Sequence, residues 1–116
     1  MAFTETETAE HLQVLDDLFW SHRRPPVHLR DQIREGQRIT GRSIELFYTR
    51  PAYKRPGEFV EEPVAKIQHL PRLRVWRLFW KRADGRWHGY PPCPETPSLA
   101  AALRVIDEDA NGCFFG

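Results

Sequence analysis

The stretch at residues 73–90, LRVWRLFWKRADGRWHGY, decides the fold. Two runs rich in aromatic and aliphatic residues, Leu73–Arg82 and Arg86–Tyr90, flank Ala83-Asp84-Gly85. Asp-Gly between such runs is a strong hairpin signal, because a tight turn needs a residue that tolerates positive φ. A two-residue loop pairs Arg82 with Trp87, Lys81 with His88, Trp80 with Gly89 and Phe79 with Tyr90. One face then carries Trp76, Leu78, Trp80, Arg82 and Trp87. The other carries Val75, Arg77, Phe79, Lys81, His88 and Tyr90. Both faces hold large rings and cations, although a sheet with one wet face needs apolar groups on one side only.

Two readings of the hairpin compete. In the structural one, the Trp-rich face packs on helices and Trp80 covers Gly89. Arg82 stacks on Trp87, a contact worth about 0.5–1 kcal/mol when exposed. The other face is covered by the N-terminal helix or by a second protomer. In the functional one, Arg77, Lys81, His88 and Tyr90 form an exposed patch that stacks on bases and pairs with phosphates. Stacking at about 1–3 kcal/mol per base would support binding. Arg82, Arg86 and Trp87 complete the candidate binding set.

Upstream, Gln37–Thr40 and Ser43–Arg50 around Gly41-Arg42 read as another hairpin. In its second arm Ile44, Leu46 and Tyr48 share one side, and Glu45, Phe47 and Thr49 the other. Residues 51–62, with two prolines and Gly57, read as a loop of about a dozen residues, long for a compact domain. Pro63–Leu70 is a further strand, with Ala65 and Ile67 on one face. Before the hairpins, Thr4 or Thr6 caps a helix running to about His22, with Leu12, Leu15, Leu18 and Phe19 at helical spacing. Acids at its start and His22, Arg23 and Arg24 at its end suit the helix dipole, and Pro25-Pro26 stops it. Val27–Glu35 reads as a short second helix closed by Gly36. Downstream, Pro91, Pro92, Pro94 and Pro97 stiffen a connector. Ser98 opens a last helix with Leu99, Leu103 and Ile106 inward, Asn111-Gly112 ends it, and Cys113–Phe115 adds a short strand.

Two helices, about five antiparallel strands and one helix make an α+β domain with a curved sheet. The length of 116 residues suits a single domain over 1–116, with 1–22 an acidic helix and 23–116 the core. No βαβ unit is present, which argues against a nucleotide-binding parallel sheet.

The net charge of +1 conceals an uneven layout. Residues 21–91 hold sixteen Lys and Arg against seven Asp and Glu, whereas 1–20 hold five acids and no Lys or Arg. Either the acidic ends pack on the basic middle, or the middle is an anion-binding surface. Fourteen of the seventeen cations are Arg, the better partner for phosphate and carboxylate.

Several classes are disfavoured. No apolar run approaches the roughly 20 residues that cross a bilayer, and the acidic start lacks the features of a secretory leader. Cys93 and Cys113 make no C-x-x-C motif, and a cytoplasmic setting with both reduced is expected over a Cys93–Cys113 bridge. The five histidines fall at no metal-ligand spacing, so neither metal nor cofactor is implied. No nucleophile elbow or phosphate-cradling loop appears. An enzyme would need a pocket assembled from His88, Tyr90, Arg77 and Glu62.

Glu62-Pro63-Val64-Ala65-Lys66, Trp76 and Trp80, the run Arg86-Trp87-His88 with Tyr90, and the ending from Ile106 to Gly116 together resemble a family, the domain of unknown function 3024. The resemblance covers about residues 20 to 116. It departs near Ala110 and Phe115, where the family often has Pro and Trp. It implies a small stand-alone bacterial protein and carries no activity, cofactor or catalytic residue. The expectation is a non-catalytic binding or interaction domain, its partner a protein, a second copy of itself or a nucleic acid. A small hydrolase using His88 is the enzymatic alternative.

Overall fold

The computed structural model describes residues 2–115. Six strands form one antiparallel sheet: β1 (Arg34–Thr40), β2 (Ser43–Pro51), β3 (Phe59–Leu70), β4 (Val75–Lys81), β5 (Trp87–Gly89) and β6 (Glu95–Thr96). Their order is β1-β2-β3-β4-β5, and β6 joins β4 on the edge away from β3. Helices α1 (Glu5–Leu15) and α2 (Leu99–Glu108) lie on one face. The architecture is α+β, as expected, but the sheet is open and not strongly curled. Closure would require β1 to meet β5, and they stand at opposite ends of the strand order.

The first helix starts as its sequence dictates. Thr4 accepts from the Glu7 amide, and the Glu7 carboxylate accepts from the Thr4 amide, a complete capping box. After Leu15 the helix widens over Asp16–Trp20 and closes with Ser21–Arg23. The wide turn rotates the following side chains. Leu15 ahead of this turn and Phe19 and Trp20 within it are buried, while Leu12 and Leu18 of the expected stripe stay exposed.

The expected second helix at Val27–Glu35 is absent. Only one tight turn forms, Val27–Leu29, and Arg34 and Glu35 instead open β1. A nine-residue helix is marginal alone, whereas the extended chain pairs seven residues with β2, from Arg34 opposite Thr49 to Thr40 opposite Ser43. The Gly41-Arg42 loop forms where its sequence placed it, with Gly41 at φ 60°.

The dozen-residue loop is also shorter than expected, since Pro51 pairs with Phe59 and Arg50 with Val60. Pro63 then sits inside a strand. It is tolerated because the register shifts there: Leu46 faces Ala65 and Phe47 faces Pro63, leaving Val64 as an extra, bulged residue. Both Val64 and Ala65 are buried.

One cluster of buried side chains holds the fold together. It joins Leu15, Phe19 and Trp20 of the N-terminal helix to Ile44, Leu46, Ile67, Trp76 and Leu78 of the sheet, with Leu103 and Ile106 of α2. Ser98 caps α2 through the Ala101 amide. The helix stops at Asp109, in the left-handed region at φ 45°, two residues before the expected Asn111. The Asp109 carboxylate accepts the amides of Phe114 and Phe115 at 2.9 Å each. Those N–H groups are thereby taken, and the expected strand at Cys113–Phe115 does not form. Both cysteines are free and half-buried.

The acidic ends do pair with part of the basic middle. Asp107 accepts from Arg23 Nε at 2.7 Å and lies 2.8 Å from His22 Nε2. Asp16 holds Arg24, Glu7 lies 3.8 Å from Arg42, and Glu95 lies 3.7 Å from Arg77. Burial pushes the Asp107 carboxyl up, but the Arg23 and His22 contacts outweigh it and hold the group below the ordinary carboxylate range.

Candidate functional site

Which side chains share a face follows from the strand register, since opposed residues point the same way. Ile44, Ile67 and Leu78 form one row across β2, β3 and β4, and all three are fully buried beneath the helices. The adjacent row must point away from them. It runs Arg38, Glu45, Lys66, Phe79 and Gly89 across β1 to β5. Among the described residues no helix covers this side; the sheet has one packed face and one open face.

The hairpin at Asp84-Gly85 forms, but one residue out of the expected register. Phe79 faces Gly89, Trp80 faces His88 and Lys81 faces Trp87. The cause is the turn. Arg82 N–H donates to the Arg86 carbonyl and Gly85 N–H to the Arg82 carbonyl, with Gly85 at φ 78°. This is a three-residue loop in which the left-handed glycine follows the turn. A one-residue slip moves every side chain of an arm to the other face. Trp87 therefore leaves the Trp-rich face, and His88 and Tyr90 leave the face of Arg77 and Lys81.

The candidate residues separate accordingly. Tyr90 is 2% exposed. Its hydroxyl accepts from Asn111, and its ring packs on Phe114 at 4.8 Å. It is core. His88 sits at the rim of the packed face, with Nε2 2.8 Å from Asp84 Oδ2. The Arg86 amide and then His88 hold the Asp84 carboxyl below its ordinary range. Arg82 lies over Trp80, 5.5 Å from its centroid, and Arg86 is exposed in the turn. Arg77, Lys81 and Trp87 share the open face, with Lys81 Nζ 5.3 Å from the Trp87 centroid. The expected contact of Arg82 on Trp87 is thus made by Lys81.

The open face carries residues that hairpin reasoning alone misses. Trp87 donates Nε1–H to Glu45 at 3.1 Å. Arg38 bridges Glu61 at 2.5 Å and Glu45 at 3.5 Å, with its guanidinium 4.9 Å from the Phe47 centroid. Lys66 lies 5.6 Å from the Phe79 centroid. Three rings, Phe47, Phe79 and Trp87, each half-buried, thus lie on the uncovered side with a cation over each. Beside the bulge, a notch of about 200 Å³ opens between Arg38, Glu45, Phe47, Glu61, Lys81 and Trp87. A second cavity of about 300 Å³, between Arg34, Thr49 and Phe59, lies further along β1 to β3. Lys66, Lys81, Arg82 and Arg86 have no carboxylate partner among the described residues. The alternation Glu45, Phe47, Thr49 in β2 was the sequence signal for this face. What it lacked was the neighbouring strand to read it against.

The four residues of the enzymatic alternative do not converge. His88 meets Asp84, Tyr90 meets Asn111, Arg77 meets Glu95, and Glu62 meets Arg50 at 2.7 Å. Among the described residues, no group of three or more His, Cys, Asp or Glu could hold a metal ion. No helix among them is long and apolar enough to cross a membrane.

Comparison with known families finds a match to the domain of unknown function DUF3024 over residues 3–116. The chain belongs to this family. The DUF3024 match reaches further upstream than the resemblance from residue 20, and the structure supplies the reason. The N-terminal segment contributes Phe3, ahead of the helix, and Leu15, Phe19 and Trp20 to the buried cluster, so it is part of the packed fold and not an appendage. No curated protein and no solved structure matches.

Proposed function

We propose that this DUF3024 protein is a non-catalytic binding module, and that it lays single-stranded nucleic acid across the open face of its sheet. One observation carries the reading: Phe47, Phe79 and Trp87 stand on a sheet face that no helix among the described residues covers, beside Lys66 and Lys81 and next to the exposed turn residue Arg86, none of which has a carboxylate partner among the described residues. Rings on an exposed sheet accept unstacked bases, and flanking cations follow the phosphates. Duplex is less suited, because its bases are already stacked. A protein partner is the second reading, favoured by Glu45 and Glu61, whose carboxylates give the notch mixed charge.

The test is a titration of labelled single- and double-stranded DNA and RNA at 50 and 200 mM salt. Three phosphate contacts on a single strand predict about a twenty-fold loss of affinity between the two conditions. No binding to any of the four at 50 mM refutes the nucleic-acid reading and leaves the protein partner.

A further inference from the structure

We propose that β1 is a self-pairing edge, through which two copies of the chain join antiparallel about a two-fold axis at Gln37 to make one continuous sheet. The two edges of the sheet differ in kind. The β5–β6 edge is made of strands of three and two residues, set among Pro91, Pro92, Pro94 and Pro97. Short strands and prolines are the usual means of blocking edge pairing. The β1 edge has none of these: seven residues, no proline, no bulge, and no strand partner among the described residues except β2.

The Gly41-Arg42 loop sets which backbone groups are free. The residues flanking a two-residue hairpin loop exchange hydrogen bonds, and such pairs alternate along the ladder. Thr40, Arg38, Gly36 and Arg34 therefore point their amides and carbonyls at β2. Glu35, Gln37 and Ile39 point theirs away, and no backbone group elsewhere in the described chain bonds to them.

The sequence of β1 suits its own antiparallel copy. Centred on Gln37, it places Glu35 opposite Ile39 and Gln37 opposite Gln37, so that all the outward groups meet, about six hydrogen bonds in total. Arg38 falls opposite Gly36, which has no side chain to obstruct it, and Arg34 opposite Thr40. No like charges are directly opposed. The diagonal repulsions, of Arg38 with Arg38 and of Arg38 with Arg34 across the pair, are reduced because each Arg38 already bridges Glu45 and Glu61. The pairing does not depend on what binds the open face.

Light scattering of the full chain from about 10 μM to 1 mM should show a monomer–dimer equilibrium. Hydrogen exchange identifies the surface. Amides of Gln37 and Ile39 should gain protection as concentration rises, while those of Gly36 and Arg38 are protected throughout. Gln37→Pro removes an outward N–H without touching the β1–β2 ladder, and should weaken the dimer at least about tenfold. Should that variant misfold, exchange in the unaltered protein decides alone. A monomer at every concentration overturns the proposal. So does a dimer in which Gln37 and Ile39 exchange as freely as in the monomer.

Discussion

Trp76 and Trp87 belong to neighbouring strands and opposite faces of one sheet, and their surroundings could hardly differ more. Trp76 is 7% exposed, stacked on Phe3 at 5.9 Å and met edge-on by His11 at 5.0 Å. Trp87 is half-buried on the uncovered side, held by one hydrogen bond from its ring nitrogen and covered by Lys81. On the packed face, rings bury area against rings and aliphatic chains. On the open face each ring is capped by a flexible cation. A cation–π contact at an exposed site is worth only about 0.5–1 kcal/mol, so these rings can be uncovered at little cost. The difference separates aromatic side chains that hold the fold from those free to hold something else.

The largest expected contrast is between adjacent residues of β4. Leu78→Ala empties a fully buried position and should cost about 3 kcal/mol in urea unfolding. Phe79→Ala, one residue away on the open face, should cost under about 1 kcal/mol. Equal losses would show that the open face is core in solution. Next is the fastening of the C-terminal tail over the packed face. Asp109→Ala removes the acceptor for two amides and should cost about 2 kcal/mol, with Phe114 leaving Tyr90.

Acid should act on the packed face as well. Burial, and then nearby cations, hold the His11 and His69 imidazoles below their ordinary range, beside Arg42, while Glu7 opposes the shift. The folded state thus resists a proton that the unfolded chain accepts near pH 6.5. Stability is full above that value and falls as pH drops below it. The paired carboxylates Glu7, Glu35, Asp84 and Asp107 titrate lower still. The urea midpoint should therefore be lower at pH 5 than at pH 7, and His11→Gln with His69→Gln should flatten the difference. A midpoint independent of pH between these values would contradict the packing of the helix on His69.

The smallest effect concerns Gly36, where an added Cβ would lie 2.7 Å from Phe47 Cε2. The ring is on the open face and can swing outward, so Gly36→Ala should cost about 1 kcal/mol or less. The cost should shrink in a Phe47→Ala background, which a double-mutant cycle would read.

Much of this fold is legible in residue order. Thr4 and Ser98 as caps, the Gly41-Arg42 turn with its register, and the alternation of Ile44 and Leu46 all follow from local chemistry. The misreadings share a cause, which is that long-range pairing overrode local preference. Arg34 and Glu35 sit in a helical pattern until β2 offers them a ladder. Phe59–Glu62 looks like loop until it meets Thr49 and Tyr48. The short β6 is hidden among prolines and exists because Trp76 and Arg77 have a free edge. At the candidate site, the expected register puts Lys81 and Trp87 on opposite faces, and one residue in the turn brings them onto the same one. Glu45, Glu61 and Lys66 were invisible as partners because they come from other strands, as far as 42 residues away for Glu45 and Trp87.

The most direct test of the open face as the binding site is NMR. Amide shifts of the labelled protein would be followed while a short oligothymidylate is added in 50 mM salt. The largest changes are expected at Lys66, Phe79, Lys81 and Trp87, with the indole N–H of Trp87 moving as it leaves Glu45. Changes centred on α1 or α2, or no changes at all, would contradict the assignment of the open face as the nucleic-acid site.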